Sequence, residues 1–135
     1  MFVEVSAGEL FDKLTILHIK AERISDREKL SNVKREIEAL TKVSADIEAF
    51  PALGELQQQL KEANERLWVI EDSIREHEQR RDFGPRFIEL ARAVYLTNDH
   101  RARLKREINM LLKSRLVEEK SYTGQGSIPA SRTAE

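Results

Sequence analysis

Apolar side chains recur along most of this chain at alternating spacings of three and four, the mark of helices with one buried face. The first seam is Leu10, Leu14, Leu17, Ala21 and Ile24. It is preceded by Ser6-Ala7-Gly8-Glu9, which matches a capping box: the serine oxygen takes an unpaired N–H while the glutamate reaches back. Ile16 and Ile19 lie off the seam, so helix 1, ending near Ile24, is expected to be covered on more than one side. A second capping box, Ser25-Asp26-Arg27-Glu28, opens helix 2 almost at once. Its seam is Leu30, Val33, Ile37, Leu40, Val43 or Ser44, and Ile47. Phe50-Pro51 stops it, because a residue before proline avoids the α region. Helix 3 is predicted from Pro51, which a first turn tolerates, to about Arg80, with Leu60, Ala63, Leu67, Ile70, Ile74 and His77 on one face. Asp82-Phe83-Gly84-Pro85 breaks the chain. Helix 4 then runs from about Pro85 to Lys113, with Phe83, Phe87, Leu90, Val94, Leu104, Ile108 and Leu111 apolar.

A mean spacing of 3.5 residues makes helices supercoil left-handedly, and short connections make neighbours antiparallel. The expectation is an all-α, antiparallel bundle of about four helices with coiled-coil-like packing, one domain over residues 1–122. From Thr123 the chain turns to Thr, Gly, Gln, Ser, Pro and Ala with one apolar residue, Ile128. Such a segment cannot offset its ordering entropy, so 123–135 reads as a disordered tail. Helices 3 and 4 are each roughly 43 Å long at 1.5 Å per residue, and helix 1 is much shorter. One molecule would leave apolar seam uncovered, and a homodimer is the expected way to cover it.

Composition narrows the functional classes. The 135 residues carry 23 basic and 24 acidic side chains, a net charge of −1, so no basic field drives nucleic-acid binding. Cysteine is absent, which removes disulfides, thiol nucleophiles and thiolate metal sites. No apolar run reaches the roughly 20 residues of a membrane span. Glu4 stands where a signal peptide would need its basic and apolar regions. A cytoplasmic location is the expectation, with no membrane span.

Candidate chemistry comes from a second stripe on helix 3. One residue past each seam position lie Asn64, Trp68, Glu71, Arg75 and Glu78, about 100° further round the helix; Trp68 is the only tryptophan. Helix 4 offers a comparable flank in Ala91, Tyr95, Asn98, Ala102, Lys105 and Asn109, and helix 1 in Phe11, Thr15, His18 and Glu22. Should the three flanks converge, His18, Trp68, Glu71, Arg75, Tyr95, Asn98 and Lys105 would share one polar cavity. The simpler reading of each is structural. Glu71 and Arg75 form an i, i+4 pair worth a few tenths of a kcal/mol; Trp68 fills core with its N–H satisfied; His18 is a hydrogen-bonded core histidine. Helix 4 also has a polar interruption, Thr97 to Arg101, which puts Thr97 and Arg101 on the seam. An unpaired charge there is costly, so these side chains need partners or water. No H-x-x-x-H or H-x-x-E spacing supports a metal site. Arginines among the acids Glu65, Glu71, Asp72, Glu76 and Glu78 argue for salt bridges over Mg²⁺. Neither a nucleophile elbow nor a Gly-rich phosphate loop occurs, and no cofactor is indicated.

Several motifs together carry a resemblance. They are Gly8-Glu9-Leu10-Phe11-Asp12-Lys13-Leu14-Thr15-Ile16-Leu17 with Lys20 and Glu22-Arg23-Ile24; Asn64, Leu67-Trp68, Ile70-Glu71-Asp72, Ile74-Arg75 and Glu78; Phe87-Ile88, Leu90-Ala91-Arg92, Val94-Tyr95 and Asn98-Asp99; Lys105-Arg106, Asn109, Ser114 and Val117-Glu118-Glu119-Lys120-Ser121-Tyr122. Over residues 3–122 this pattern resembles a bacterial family of uncharacterised small helical proteins, encoded near, or occasionally fused to, glycosyltransferases of surface-polysaccharide assembly. The resemblance implies a genomic setting and a glycosyltransferase as candidate partner; it implies no reaction and no catalytic residue. Two functional readings follow. The first is a non-catalytic interaction or accessory module in that setting. The alternative is a metal-free enzyme or binder that sets Arg23, Arg75, Arg92 and Lys105 against a small anionic ligand, by positioning and electrostatic preorganisation.

Overall fold

The computed structural model describes residues 1–47, 51–114 and 116–122. Among these are four helices and no strand: α1 (Ala7–Arg23), α2 (Arg27–Ser44), α3 (Pro51–Arg80) and α4 (Pro85–Leu111). The all-α expectation holds and the boundaries fall within a few residues of those predicted, except that α2 ends at Ser44 and leaves Ile47, expected on its seam, in the turn that follows. The expected tail at 123–135 and the helix-stopping Phe50 lie outside the described residues.

Capping chemistry explains the boundaries. The N–H groups that open a helix lack intrahelical partners, and in α1 Ala7, Gly8 and Glu9 find side-chain acceptors before the first turn closes at Leu10. Ala7 donates to Ser114 Oγ at 3.2 Å, Gly8 to Asn109 Oδ1 at 2.6 Å, Glu9 to Ser6 Oγ at 3.1 Å, and Leu10 to the Ser6 carbonyl at 3.1 Å. The start of α1 is thereby tied to the end of α4. At α2 the cap is Asp26, one residue later than the capping box placed it; its carboxylate accepts from Glu28 N at 3.2 Å. Both Ser25 and Asp26 are good caps, and helix register decides between them. The ends of α3 and α4 share one device. Arg81 and Lys113 both take φ 54°, and the next residue donates back across the turn, Asp82 N to the His77 carbonyl at 2.9 Å and Ser114 N to the Asn109 carbonyl at 2.8 Å. This is the Schellman closure, with a side-chain-bearing residue where glycine is usual.

Matched contacts give the directions. Along α3 and α4, Asn64 meets Arg101 and His77 meets Phe87, so the two form an antiparallel hairpin around residues 81–84. Between α1 and α4, Gly8 meets Asn109, Glu9 meets Lys105 and Asp12 meets Arg101, again antiparallel. Lys13 and Glu36, 3.7 Å apart, mark α1 and α2 as a second hairpin. Helix α1 therefore packs on α2, α3 and α4, whereas α2 approaches only α1 at backbone level among the described residues. Consecutive helices pair as expected except α2 and α3.

The core lies where α1 crosses the long hairpin: Leu10, Phe11, Leu14, Leu53, Leu60, Ala63, Leu104 and Ile108. As the off-seam residues predicted, α1 is buried on several sides, including Asp12, Thr15, Leu17 and Ile19. Gly8 is required by this approach. A Cβ there would fall 2.9 Å from the Lys105 carbonyl carbon, inside van der Waals contact. After α4 the chain turns back, and residues 116–122 form a strap along α4. Glu118 lies 3.6 Å from Lys105, Arg106 donates to Glu119 at 2.7 Å, and Lys120 to Asp99 at 3.2 Å.

Candidate functional site

The centre of the molecule holds a closed polar network. Asp12 and Asn64 are 2% and 5% exposed. The Asn64 amide donates to Asp12 Oδ1 at 2.9 Å and to Thr15 Oγ1 at 2.7 Å. The Thr15 hydroxyl spends its own proton on the Asp12 carbonyl at 2.8 Å, leaving its oxygen to accept. Asn64 Oδ1 accepts from Arg101 Nη1 at 3.2 Å, and Arg101 Nε stands 3.6 Å from Asp12 Oδ1. A buried carboxylate persists only when paired and hydrogen-bonded, and these partners meet that demand. Arg101, which the sequence placed on a core seam in need of a partner, has found it. Thr97 is buried beside it on the same helix.

A second network lies one turn away. Lys105 donates to Glu9 at 2.8 Å and sits 3.6 Å from Glu118, while Ser6 Oγ donates to Glu118 at 3.1 Å. Hydrogen bonding by the Lys105 ammonium holds the Glu9 carboxyl below its ordinary range, against the opposing effect of burial. Glu9 thus serves Lys105 instead of completing the capping box.

The predicted site residues fall into separate hollows, not one cavity. Tyr95, Asn98 and Lys105 line a groove of about 770 Å³ between α4 and the strap, with Arg101, Lys120 and Tyr122. Trp68, Glu71 and Arg75 line a hollow of about 400 Å³ with Ile16, Ile19 and Leu67. There the Arg23 guanidinium lies 5.7 Å from the centre of the Trp68 ring, and Arg75 donates to Glu71 at 3.2 Å on an exposed face. Arg101 borders both spaces. His18 lines neither space. It borders a hollow of about 450 Å³ where α1, the end of α2 and the start of α3 meet. Lys61 donates to Glu22 there at 2.8 Å, an exposed pair that lowers the Glu22 carboxyl and raises the Lys61 ammonium.

Two structural readings need correction. His18 is exposed, not a core histidine; the buried histidine is His77, whose Nδ1 lies 2.9 Å from the Ser73 carbonyl. Trp68 is half-buried under Arg23, not sunk in the core. Arg92 projects from the exposed side of α4 and borders neither hollow. Asp12, Arg101, Lys120 and Tyr122 were missed as site residues. A signal for Asp12 existed: Gly8, Asp12, Thr15 and Ile19 recur at four-three-four spacing, and all are buried. The strap residues carried no periodic signal.

Among the described residues no cluster of His, Asp and Glu could hold a metal ion, and no helix is long and apolar enough to cross a membrane. What the fold and these networks define is a helical protein whose anchored arginine and lysine face a half-open groove. The chain belongs to a family of unknown function, DUF6165, whose pattern matches residues 1–134. No curated protein and no solved structure matches it.

Proposed function

We propose that the protein is a non-catalytic, cytoplasmic interaction module that acts as a homodimer. The resemblance in its motifs supports a setting alongside glycosyltransferases of surface-polysaccharide assembly. The observation that carries the reading is the overhang of the long hairpin. Helices α3 and α4 have 30 and 27 residues, and α1, with 17, covers only part of them. Along α4, Ile88, Tyr95 and Leu96 are 55%, 52% and 52% exposed, Ile88 beyond the cover of α1 and the other two beside the strap. Spacings of seven and eight place them on one side of α4. Val69 and Phe83 add half-exposed apolar surface on the same hairpin, and Met1, Phe2, Val3 and Val5 add an exposed apolar arm. Single exposed apolar residues are ordinary, but a run along one helix marks an interaction surface.

The test is the mass of the full chain at micromolar concentration by light scattering, with Ile88→Asp and Leu96→Asp alongside. The expected result is twice the mass of one chain, falling to one chain in the double variant with helicity retained. A wild-type mass of one chain would remove the dimer. Co-purification with a glycosyltransferase encoded beside the gene tests the accessory role, and its failure in both directions of tagging would remove that.

A further inference from the structure

We propose that the groove between α4 and the strap is a binding site for a phosphate monoester, with Arg101, Lys105 and Lys120 around the phosphate and the ester's ring-bearing body against Tyr95 and Tyr122. Tyr95 also lies on the surface proposed for the dimer, so the variants that test the groove are placed on the strap.

Size and shape fit first. The groove holds about 770 Å³, inside the roughly 300–1,000 Å³ range of small-molecule sites. Its lining carries three cations, Arg101, Lys105 and Lys120, with Asp99, the partner of Lys120, as the single carboxylate on the wall. The anions that neutralise Arg101 and Lys105 lie outside the groove lining, Asp12 and Glu9 on α1 and Glu118 on the strap. Each of the three cations already has a carboxylate partner, so what the groove offers is three fixed donors in one lining, which the several oxygens of a phosphate can share.

The cations are also held in advance. Asp12 and Asn64 fix the Arg101 guanidinium from the buried side, using its Nε and one Nη1 proton. A guanidinium has five N–H donors in a rigid fork, and Arg101, held by these two partners, lines the groove. Lys105 is anchored by Glu9 at 2.8 Å, with a side chain only 16% exposed. Anchoring of this kind removes the entropy a flexible lysine would lose on binding. A bidentate arginine with flanking ammonium groups is the usual cradle for phosphate oxygens.

The remaining lining residues speak to the body of the ligand. Tyr95 and Tyr122 enter from opposite sources, one from α4 and one from the strap, and Asn98 lies between Tyr95 and Arg101 in sequence on the same lining. Aromatic rings beside an amide suit a sugar or a nucleobase, which offers a flat face and polar edges. Lys120 stands 5.4 Å from the Tyr122 ring centre, so the strap brings a cation and an aromatic to the groove as one unit.

The experiment is a titration of the full-length, ¹⁵N-labelled chain with inorganic phosphate, glucose 1-phosphate, uridine 5′-monophosphate and uridine, followed by backbone amide shifts. Saturable shifts centred on Tyr95, Asn98, Arg101, Lys105 and Lys120 are expected with the monoesters, weaker ones with inorganic phosphate, and none with uridine. The two esters separate a sugar body from a nucleoside body. Lys120→Gln and Tyr122→Leu lie on the exposed strap and leave the buried network intact; each should weaken ester binding roughly five- to tenfold with an unchanged melting temperature. The proposal is overturned by no saturable shift at millimolar ester, by shifts centred on Arg23 and Arg75 instead, by equal affinity for phosphate and its esters, or by strap variants that bind like wild type.

Discussion

Replacing Asn64 with leucine keeps a side chain of similar size while removing the amide that joins two buried residues, Asp12 and Thr15, to the part-exposed Arg101. In the native protein that amide donates to Asp12 Oδ1 at 2.9 Å and Thr15 Oγ1 at 2.7 Å, and accepts from Arg101 at 3.2 Å. A hydrogen bond to a charged partner is worth about 1.5–3 kcal/mol and one to a neutral hydroxyl about 1 kcal/mol. Arg101 is part-exposed and can turn to water, so its loss adds little. Asp12 cannot, being 2% exposed, and a buried carboxylate stripped of a donor costs further. The sum predicts destabilisation of about 3–4 kcal/mol, a large share of the roughly 5–15 kcal/mol typical of domains. Urea unfolding followed by circular dichroism at 222 nm measures it, with an unchanged slope required for a pure stability effect. Asp12→Leu alone should cost a comparable amount, because it strands Asn64 and leaves Arg101 without its anion. The double variant should then be far better than additive, with a coupling of about 1–3 kcal/mol, since removing both partners leaves less unsatisfied. A loss below about 1 kcal/mol for Asn64→Leu, or simple additivity, would refute the view that this network holds α1 to the hairpin.

Gly8→Ala should destabilise by about 1–3 kcal/mol despite alanine's better helix propensity, because the new Cβ meets the Lys105 backbone; a melting temperature at or above wild type would contradict that close approach. Arg81→Gly should stabilise by roughly 0.5–1 kcal/mol, relieving a left-handed residue at φ 54°, and calorimetry would show it as a rise of a few degrees. Because Lys105 lowers the folded-state pKa of Glu9, the Glu9 contribution is complete above the ordinary glutamate range and is lost as pH falls through the lowered value. Wild type should therefore exceed Glu9→Gln in stability at neutral pH, with the gap closing on acidification; a gap constant down to about pH 3 would mean the ion pair contributes nothing.

What could be foreseen divides along a physical line. Seam periodicity reports the angle of each residue round its own helix, and that sufficed for four helices, the break at Gly84-Pro85 and the multiple burial of α1. It does not report which helix faces which. So α2, whose seam is as regular as any, could not be assigned to α1 alone, and the flanks carrying His18, Trp68 and Tyr95 could not be sorted into separate hollows. The polar seam residue Arg101 was the better guide, because desolvation made a demand that only particular partners could meet. Its partners are Asp12, on a stripe with Gly8, Thr15 and Ile19, and Asn64, the buried first member of the polar stripe of α3, next to Leu60, Ala63 and Leu67. The strap is the opposite case. Residues 116–122 have neither periodicity nor a cap, and their place follows largely from charges, Glu118 to Lys105, Glu119 to Arg106 and Lys120 to Asp99. Exposed pairs of that kind are individually weak, so the strap's position depends on several acting together and on the Ser6 and Ser114 bonds at its base. A segment held that way can be displaced at little cost, which suits a wall that a ligand must pass, and suits it better than a rigid helix would.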